Sequence, residues 1–192
     1  MESATKFLQK WRVRLGHLFA ILALALARPV HLRYLAAGTA VALAGEAVRI
    51  ASAGYIQKDK TLSRTGPYAY TRNPLYLGSF LMYLGFCVAA SNLYVIAAYI
   101  PFFFIIYYAT IYREETYLKD AFGADYEQFK KETPRFFPRL LPARGNGAGG
   151  GFSFSQAAKN REYEGLIAIV IITGALWAMH FARWYPLKFW SR

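Results

Sequence analysis

The chain has 192 residues, 56% of them hydrophobic and 18% aromatic, with 23 Lys and Arg against 11 Asp and Glu for a formal net charge of +12. So apolar a composition, gathered in long blocks instead of short periodic runs, excludes an ordinary soluble domain and leaves room for one membrane domain. The basic excess flanks the apolar blocks, which assigns it to anionic lipid headgroups and not to nucleic acid.

The first block covers about residues 15–27, behind Lys6, Lys10, Arg12 and Arg14. Basic residues before a short apolar run imitate a secretory signal. Further blocks follow at once, however, and Arg28-Pro29 is a poor cleavage site, so a first membrane helix is predicted. The second block, about 35–55, is rich in small residues (Ala36, Ala37, Gly38, Ala40, Ala42, Ala44, Gly45), which let helix backbones approach closely in lipid. Glu46 and Arg49 lie three apart on one face of that helix and are expected to pair. Blocks three and four, about 75–90 and 93–112, are separated by Ser91 and Asn92 alone, which predicts a tight antiparallel helical hairpin. Pro101 removes a backbone donor and is expected to kink the fourth helix. A polar stretch from Arg113 to Glu164 follows, and within it residues 145–151 read as a flexible Gly-rich linker. The fifth block, about 166–181, ends in Trp184, Tyr185 and Trp190, an interfacial aromatic belt.

The expected fold is therefore all-α: a polytopic integral membrane protein, one domain over residues 1–192, with about five spans. Five spans put the N-terminal arm, residues 57–71 and the segment after Arg113 on one side. That side carries most of the Lys and Arg and is read as cytoplasmic. No internal repeat is visible. Cys87 is the single cysteine, lies in an apolar block and reads as a small buried side chain. With His17, His31 and His180 it forms no metal-binding spacing.

Polar residues are densest on either side of the hairpin. Because the turn is so short, the start of its first helix and the end of its second must lie side by side, so two segments distant in sequence line one site. Gly66-Pro67 is a turn, and Asn73-Pro74 starts a helix with Asn as cap and Pro at the first position. Free backbone donors at such a terminus receive a carboxylate. Across from it, Glu114 and Glu115 offer acceptors for ribose hydroxyls or an ammonium, and Tyr68 and Tyr76 offer aromatic faces for a cation or an adenine ring. These parts suit S-adenosyl-L-methionine, and they would suit other ligands too.

The ordered set Gly66-Pro67-Tyr68-x-x-x-Arg72-Asn73-Pro74-x-Tyr76-x-Gly78, then Glu114-Glu115, Phe122-Gly123-x-x-Tyr126 and Pro134-Arg135-Phe136, resembles the isoprenylcysteine carboxyl methyltransferase family. The similarity extends to its bacterial relatives and, more distantly, to phospholipid methyltransferases, and covers about residues 46–142. The resemblance implies a membrane methyltransferase that takes S-adenosyl-L-methionine, with cofactor contacts from Tyr68, Asn73, Pro74, Leu75, Tyr76 and Glu114. Gln57 and residues 60–63 match more loosely. Two positions depart from the family pattern. Asn73 stands where the family commonly has His, and Thr110 stands at its substrate-recognising arginine, with Arg113 about one turn away.

The implied acceptor is a lipophilic small molecule or lipid, and no obligatory protein partner is indicated. If it presents a carboxylate, Arg113 or Arg72 orients it through a charge-assisted pair. If it presents an amine, Glu114 or Glu115 takes its proton. Arg113, Glu115 and Arg72 are thus the candidate catalytic residues. Two rival readings stand beside this one: an N-methyltransferase of lipid amines, and a non-enzymatic membrane scaffold or small transporter. A transporter would be expected to show paired halves or broken midplane helices, and the sequence shows neither.

Overall fold

The computed structural model describes residues 2–56, 61–143 and 151–184. Among them are six α-helices and no strand: α1 Glu2–Ala25, α2 Leu32–Tyr55, α3 Pro74–Ala89, α4 Leu93–Glu132, α5 Phe154–Lys159 and α6 Tyr163–Ala182, with a 3-10 turn at Gly66–Ala69. Helices α2, α4 and α6 are long and apolar enough to cross a membrane, and α3 and the Arg14–Ala25 part of α1 are shorter apolar helices. The 16 residues of α3 make about 24 Å of helix at 1.5 Å each, less than the ~30 Å hydrocarbon core. Polar groups at its two ends therefore remain within reach of the interfacial layers. Helix α1 begins well before the apolar block that predicted it, because hydropathy marks where lipid contact begins and not where a helix does.

The described residues pack as two units. The first comprises Met1–Leu43, Leu81–Thr110 and Ile167–Arg192. Its core gathers Ala27, Leu35, Ala89, Ala90, Leu176 and Met179. The small-residue stripe has the expected use: a Cβ on Gly85 would collide with the Gly38 carbonyl and the Ala42 backbone, so α2 and α3 touch through their backbones. The hairpin turn is also as expected. Ser91 adopts φ 54°, and the Asn92 side chain caps α4 by accepting from the Tyr94 and Val95 amides at 3.0 and 3.4 Å. Its Nδ2 donates to the Leu26 carbonyl at 2.9 Å, pinning the turn to the end of α1. Ile21, Leu93, Ile105, Val170, Ile171 and Phe181 are each more than half exposed, which is the pattern of lipid-facing helix surfaces.

The second unit comprises Ala44–Phe80 and Ile111–Leu166. Here the polar stretch after residue 112 proves to begin as helix, since α4 continues to Glu132. The non-helical backbone in α4 lies at Gly123, with φ 49° and ψ −119°, and not at Pro101. Glycine alone enters that region without a Cβ penalty. The break turns residues 124–132 so that Tyr126 and Phe129 bury against Tyr68, with Leu62, Leu118 and Phe122 around them. The Phe122-Gly123-x-x-Tyr126 pattern is therefore a corner. Farther along, Ser153 caps α5 by accepting from the Gln156 amide, and Asn160 Nδ2 donates to the Ala53 carbonyl at 2.8 Å, which ties the entry of α6 to α2. Gln57, Lys60, residues 145–150 of the predicted linker, Tyr185 and Trp190 lie outside the described residues.

Candidate active site

A cavity of about 200 Å³ opens within the second unit, lined by Ile56, Thr61, Leu62, Ser63, Tyr68, Arg72, Glu114, Tyr117, Leu118, Phe122 and Phe129. Its walls come from the segment before α3 and from α4 on both sides of the Gly123 corner, so the short hairpin does bring the two polar segments together. Of the sequence-predicted residues, Tyr68, Arg72 and Glu114 face it. Asn73, Pro74, Leu75 and Tyr76 are not on its wall. Tyr76 supports the wall from behind, since its hydroxyl donates to Glu114 Oε2 at 2.7 Å. Pro74 is fully buried at the first position of α3. Asn73 stands at the cap position, where its carbonyl accepts from the Tyr76 and Leu77 amides, both at 3.1 Å. The Asn73 side chain is committed elsewhere: Nδ2 donates to the Arg135 carbonyl at 2.9 Å and lies 3.5 Å from Glu115 Oε1. Ile56 and Thr61, which flank the stretch containing Gln57, both line the cavity.

Glu115 points away from Glu114, as neighbours on a helix must, because each residue turns about 100° from the last. It is buried and collects two arginines: Arg135 through Nη2 at 2.8 Å and Nε at 3.0 Å, and Arg72 through Nη2 at 3.3 Å. Arg72 also reaches the Tyr126 hydroxyl at 3.4 Å, and its backbone amide donates to the Pro134 carbonyl at 2.9 Å. This cluster fastens α3, α4 and the loop after α4 into one piece. Arg113 is exposed and off the cavity wall. Sequence reasoning quoted Arg135 in a motif without assigning it a partner, and it did not single out Arg64; neither lines the cavity. Arg135 could equally have been a loop anchor, and only the fold shows it on Glu115. Arg64 pairs with Glu132 at 2.6 Å and lies over the Phe129 ring at 5.6 Å, a contact across 68 residues that no local spacing announces.

Burial pushes the Tyr68 hydroxyl well above the ordinary phenol range, and the charge of Glu114 adds to the shift. It is therefore a neutral donor at any working pH, and among the described residues it has no hydrogen-bond partner. Tyr126 is pushed up to about 12, by burial first and by the Glu115 charge second, with Arg72 opposing. Beside the cavity lies a second buried cluster. Arg49 pairs with Glu46 at 3.5 Å, as expected, and with Glu162 at 2.9 Å, and it also bonds the Ser79 hydroxyl. Such charges persist in an apolar setting only when paired.

The cavity wall combines a carboxylate, a guanidinium and aromatic faces. Glu114 suits an ammonium or ribose hydroxyls, the Arg72 guanidinium suits a carboxylate, and Phe122, Phe129 and Tyr117 suit a flat ring or a cation. Among the described residues, an all-helical apolar scaffold with a cavity in its second unit is that of a polytopic membrane protein. The sequence comparisons say which one: a family model described as phospholipid methyltransferase matches residues 30–125, half of the chain, and the chain belongs to that family. Among curated proteins, it is 37% identical over 89 residues to the cobalt-zinc-cadmium resistance protein CzcN of Cupriavidus metallidurans, covering 46% of this chain and 41% of that one. It is 31% identical over 84 residues to the nickel-cobalt-cadmium resistance protein NccN of Alcaligenes xylosoxydans, covering 44% of this chain and 39% of that one. It is 33% identical over 104 residues to the protein-S-isoprenylcysteine O-methyltransferase of Schizosaccharomyces pombe, covering 54% of this chain and 44% of that one. Each match thus spans about two fifths of the relative's length. No solved structure matches the chain.

Proposed function

We propose that the chain is an integral membrane methyltransferase that uses S-adenosyl-L-methionine to methylate a lipophilic acceptor, with a carboxylate as the receiving group as in isoprenylcysteine O-methylation. The observation that carries this reading is the cavity wall, where Glu114, braced by Tyr76, shares one aromatic pocket with Tyr68 and Arg72. Family membership and the fission-yeast relative support it. When bound, S-adenosylmethionine supplies a methyl carbon carried on a positively charged sulfur. The chain's own task is then alignment and exclusion of water. Glu114 holds the cofactor's ammonium or ribose, and the aromatic walls shield the positive centre. A carboxylate acceptor is already ionised and needs no base. Glu115, engaged by two arginines, holds Arg72 in place for that acceptor in preference to taking a proton. Arg113, outside the cavity, contributes long-range attraction. The reading includes five spans and a cavity facing the cytoplasm of a bacterial inner membrane, on the strength of the basic residues that flank the site.

A second reading, N-methylation of a lipid amine, draws support from the family's phospholipid description and from Glu114, which has a hydroxyl but no cation against it among the described residues. A mass-shift assay offering a prenylcysteine and a phosphatidylethanolamine separates the two. The first test is S-adenosylhomocysteine binding to the purified protein by calorimetry. Glu114→Gln should abolish binding. Tyr76→Phe should weaken it about tenfold or more, since a hydrogen bond to a charged group contributes ~1.5–3 kcal/mol. No binding to folded wild type sinks the enzyme reading and leaves a scaffold or transporter. Wild-type affinity in both variants sinks the site.

A further inference from the structure

After α4 the chain runs without helix through residues 133–143, yet it is firmly held. The Arg139 and Ala143 amides donate to the Tyr70 and Ala69 carbonyls at 3.0 and 2.9 Å, and the Thr71 hydroxyl donates to the Phe136 carbonyl at 2.9 Å. Phe136 turns inward, edge-on to Phe80 with ring centroids 5.9 Å apart. The next large apolar side chains do the opposite: Phe137 is 70% exposed, Leu140 97% and Leu141 72%. Single exposed apolar residues need no explanation, but three together on a pinned loop outside any helix do. Two features say what covers them. The loop is strapped to residues 69–73, immediately before α3 enters its apolar run, which is the level at which hydrocarbon gives way to headgroups. Basic side chains predominate beside it: Arg139, Lys130 and Lys131 are exposed, no acidic residue lies between 133 and 143, and the adjacent Glu127 and Glu132 are paired with Lys130 at 3.6 Å and Arg64 at 2.6 Å.

We propose that residues 134–142 form an interfacial wedge, with Phe137, Leu140 and Leu141 seated at the acyl–headgroup boundary of an anionic leaflet and Arg139, Lys130 and Lys131 on its phosphates. The wedge rests on the chain's being a membrane protein and not on its being a methyltransferase. Because the same loop delivers the Arg135 guanidinium to Glu115 and the Arg135 carbonyl to Asn73, the leaflet surface and the cavity share one rigid piece.

The test places an environment-sensitive fluorophore on Leu140→Cys, and separately on Phe137→Cys, in a Cys87→Ala background. The full chain is reconstituted into vesicles of phosphatidylglycerol and phosphatidylcholine in equal parts. Blue-shifted emission at both positions, quenched by nitroxide-bearing lipids and spared by aqueous iodide, is the expected result. A label on Lys131→Cys, at the charged rim, should be open to iodide. Iodide quenching at 137 and 140 equal to that at 131 overturns the wedge. So does protection from both quenchers, which would mean that protein covers the loop, a second copy included. In vesicles of phosphatidylcholine alone, lipid quenching should fall, and an unchanged signal overturns the assignment of the basic residues to anionic headgroups.

Discussion

The Glu115 cluster offers the sharpest quantitative prediction. Glu115 and the Arg72 side chain are each about 93% buried, whereas the Arg135 side chain is 41% exposed. Glu115→Gln removes the charge that both arginines answer. Arg135 can turn to solvent, whereas the Arg72 side chain, 7% exposed at the cavity wall, is left largely buried without its ion-pair partner. Stranding a buried charge costs about 3–5 kcal/mol, and the partial escape of Arg135 argues for the lower end, about 3 kcal/mol. Arg72→Met is the milder change. Glu115 then keeps two bonds from Arg135, at 2.8 and 3.0 Å, and loses a longer one at 3.3 Å, for about 1–2 kcal/mol. The double variant strands nothing and should cost distinctly less than the sum. Reversible unfolding in mixed micelles, run as a double-mutant cycle, reads both the order and the coupling. An Arg72→Met loss equal to or above that of Glu115→Gln, or a coupling under about 0.5 kcal/mol as for exposed pairs, refutes the argument.

Two further outcomes follow from packing and charge. Gly85→Ala should lower the melting temperature in detergent clearly, because the new methyl meets backbone atoms that cannot step aside, whereas Gly174→Ala, with nothing within 4 Å of its would-be Cβ, should be neutral or slightly stabilising; equal effects would show that α2 and α3 do not touch as described. The Glu132 carboxyl is held below the ordinary carboxylate range by the Gln128 hydrogen bond and then by Arg64, so the stability it contributes is present above the unfolded value and lost as pH falls through the lower folded one. Glu132→Gln should flatten the acid limb of the melting-temperature profile, and an unaltered limb would show that the pair does nothing for the folded state.

Much of the scaffold is legible in sequence because its causes are local. Ser91-Asn92 between two apolar blocks leaves the chain no alternative to a hairpin, and Asn92 is an ordinary cap. The stripe around Gly38 announces close backbone approach, although not that Gly85 of α3 is the partner. The extent of α4 was not legible, since hydropathy falls at Arg113 while helix propensity does not. The role of Gly123 was hidden as well: the Phe122-Gly123-x-x-Tyr126 pattern is visible, but that its glycine adopts φ 49° and folds Tyr126 back onto Tyr68 is a tertiary fact. The Glu114-Glu115 pair shows the limit most clearly. Side by side in sequence they invite one shared role, and the helix sends one to the cavity and the other to Arg72 and Arg135.

That divergence explains why the cavity has the electrostatic character it does. In the second unit most buried or half-buried charges meet an opposite charge: Arg49 meets Glu46 and Glu162, Arg64 meets Glu132, and Arg72 and Arg135 meet Glu115. An apolar surrounding demands this, because an uncompensated ion there costs several kcal/mol, on the order of the total stability of a domain. Glu114 is the departure. It faces the cavity with the Tyr76 hydroxyl to steady it and no cation against it among the described residues. The aromatic walls around it attract positive charge, as its carboxylate does. On the reading proposed above, a sulfonium carrying an ammonium would suit both the Glu114 carboxylate and the aromatic walls, so the cofactor, before the acceptor, is the part of the proposed reaction that the cavity's chemistry supports most.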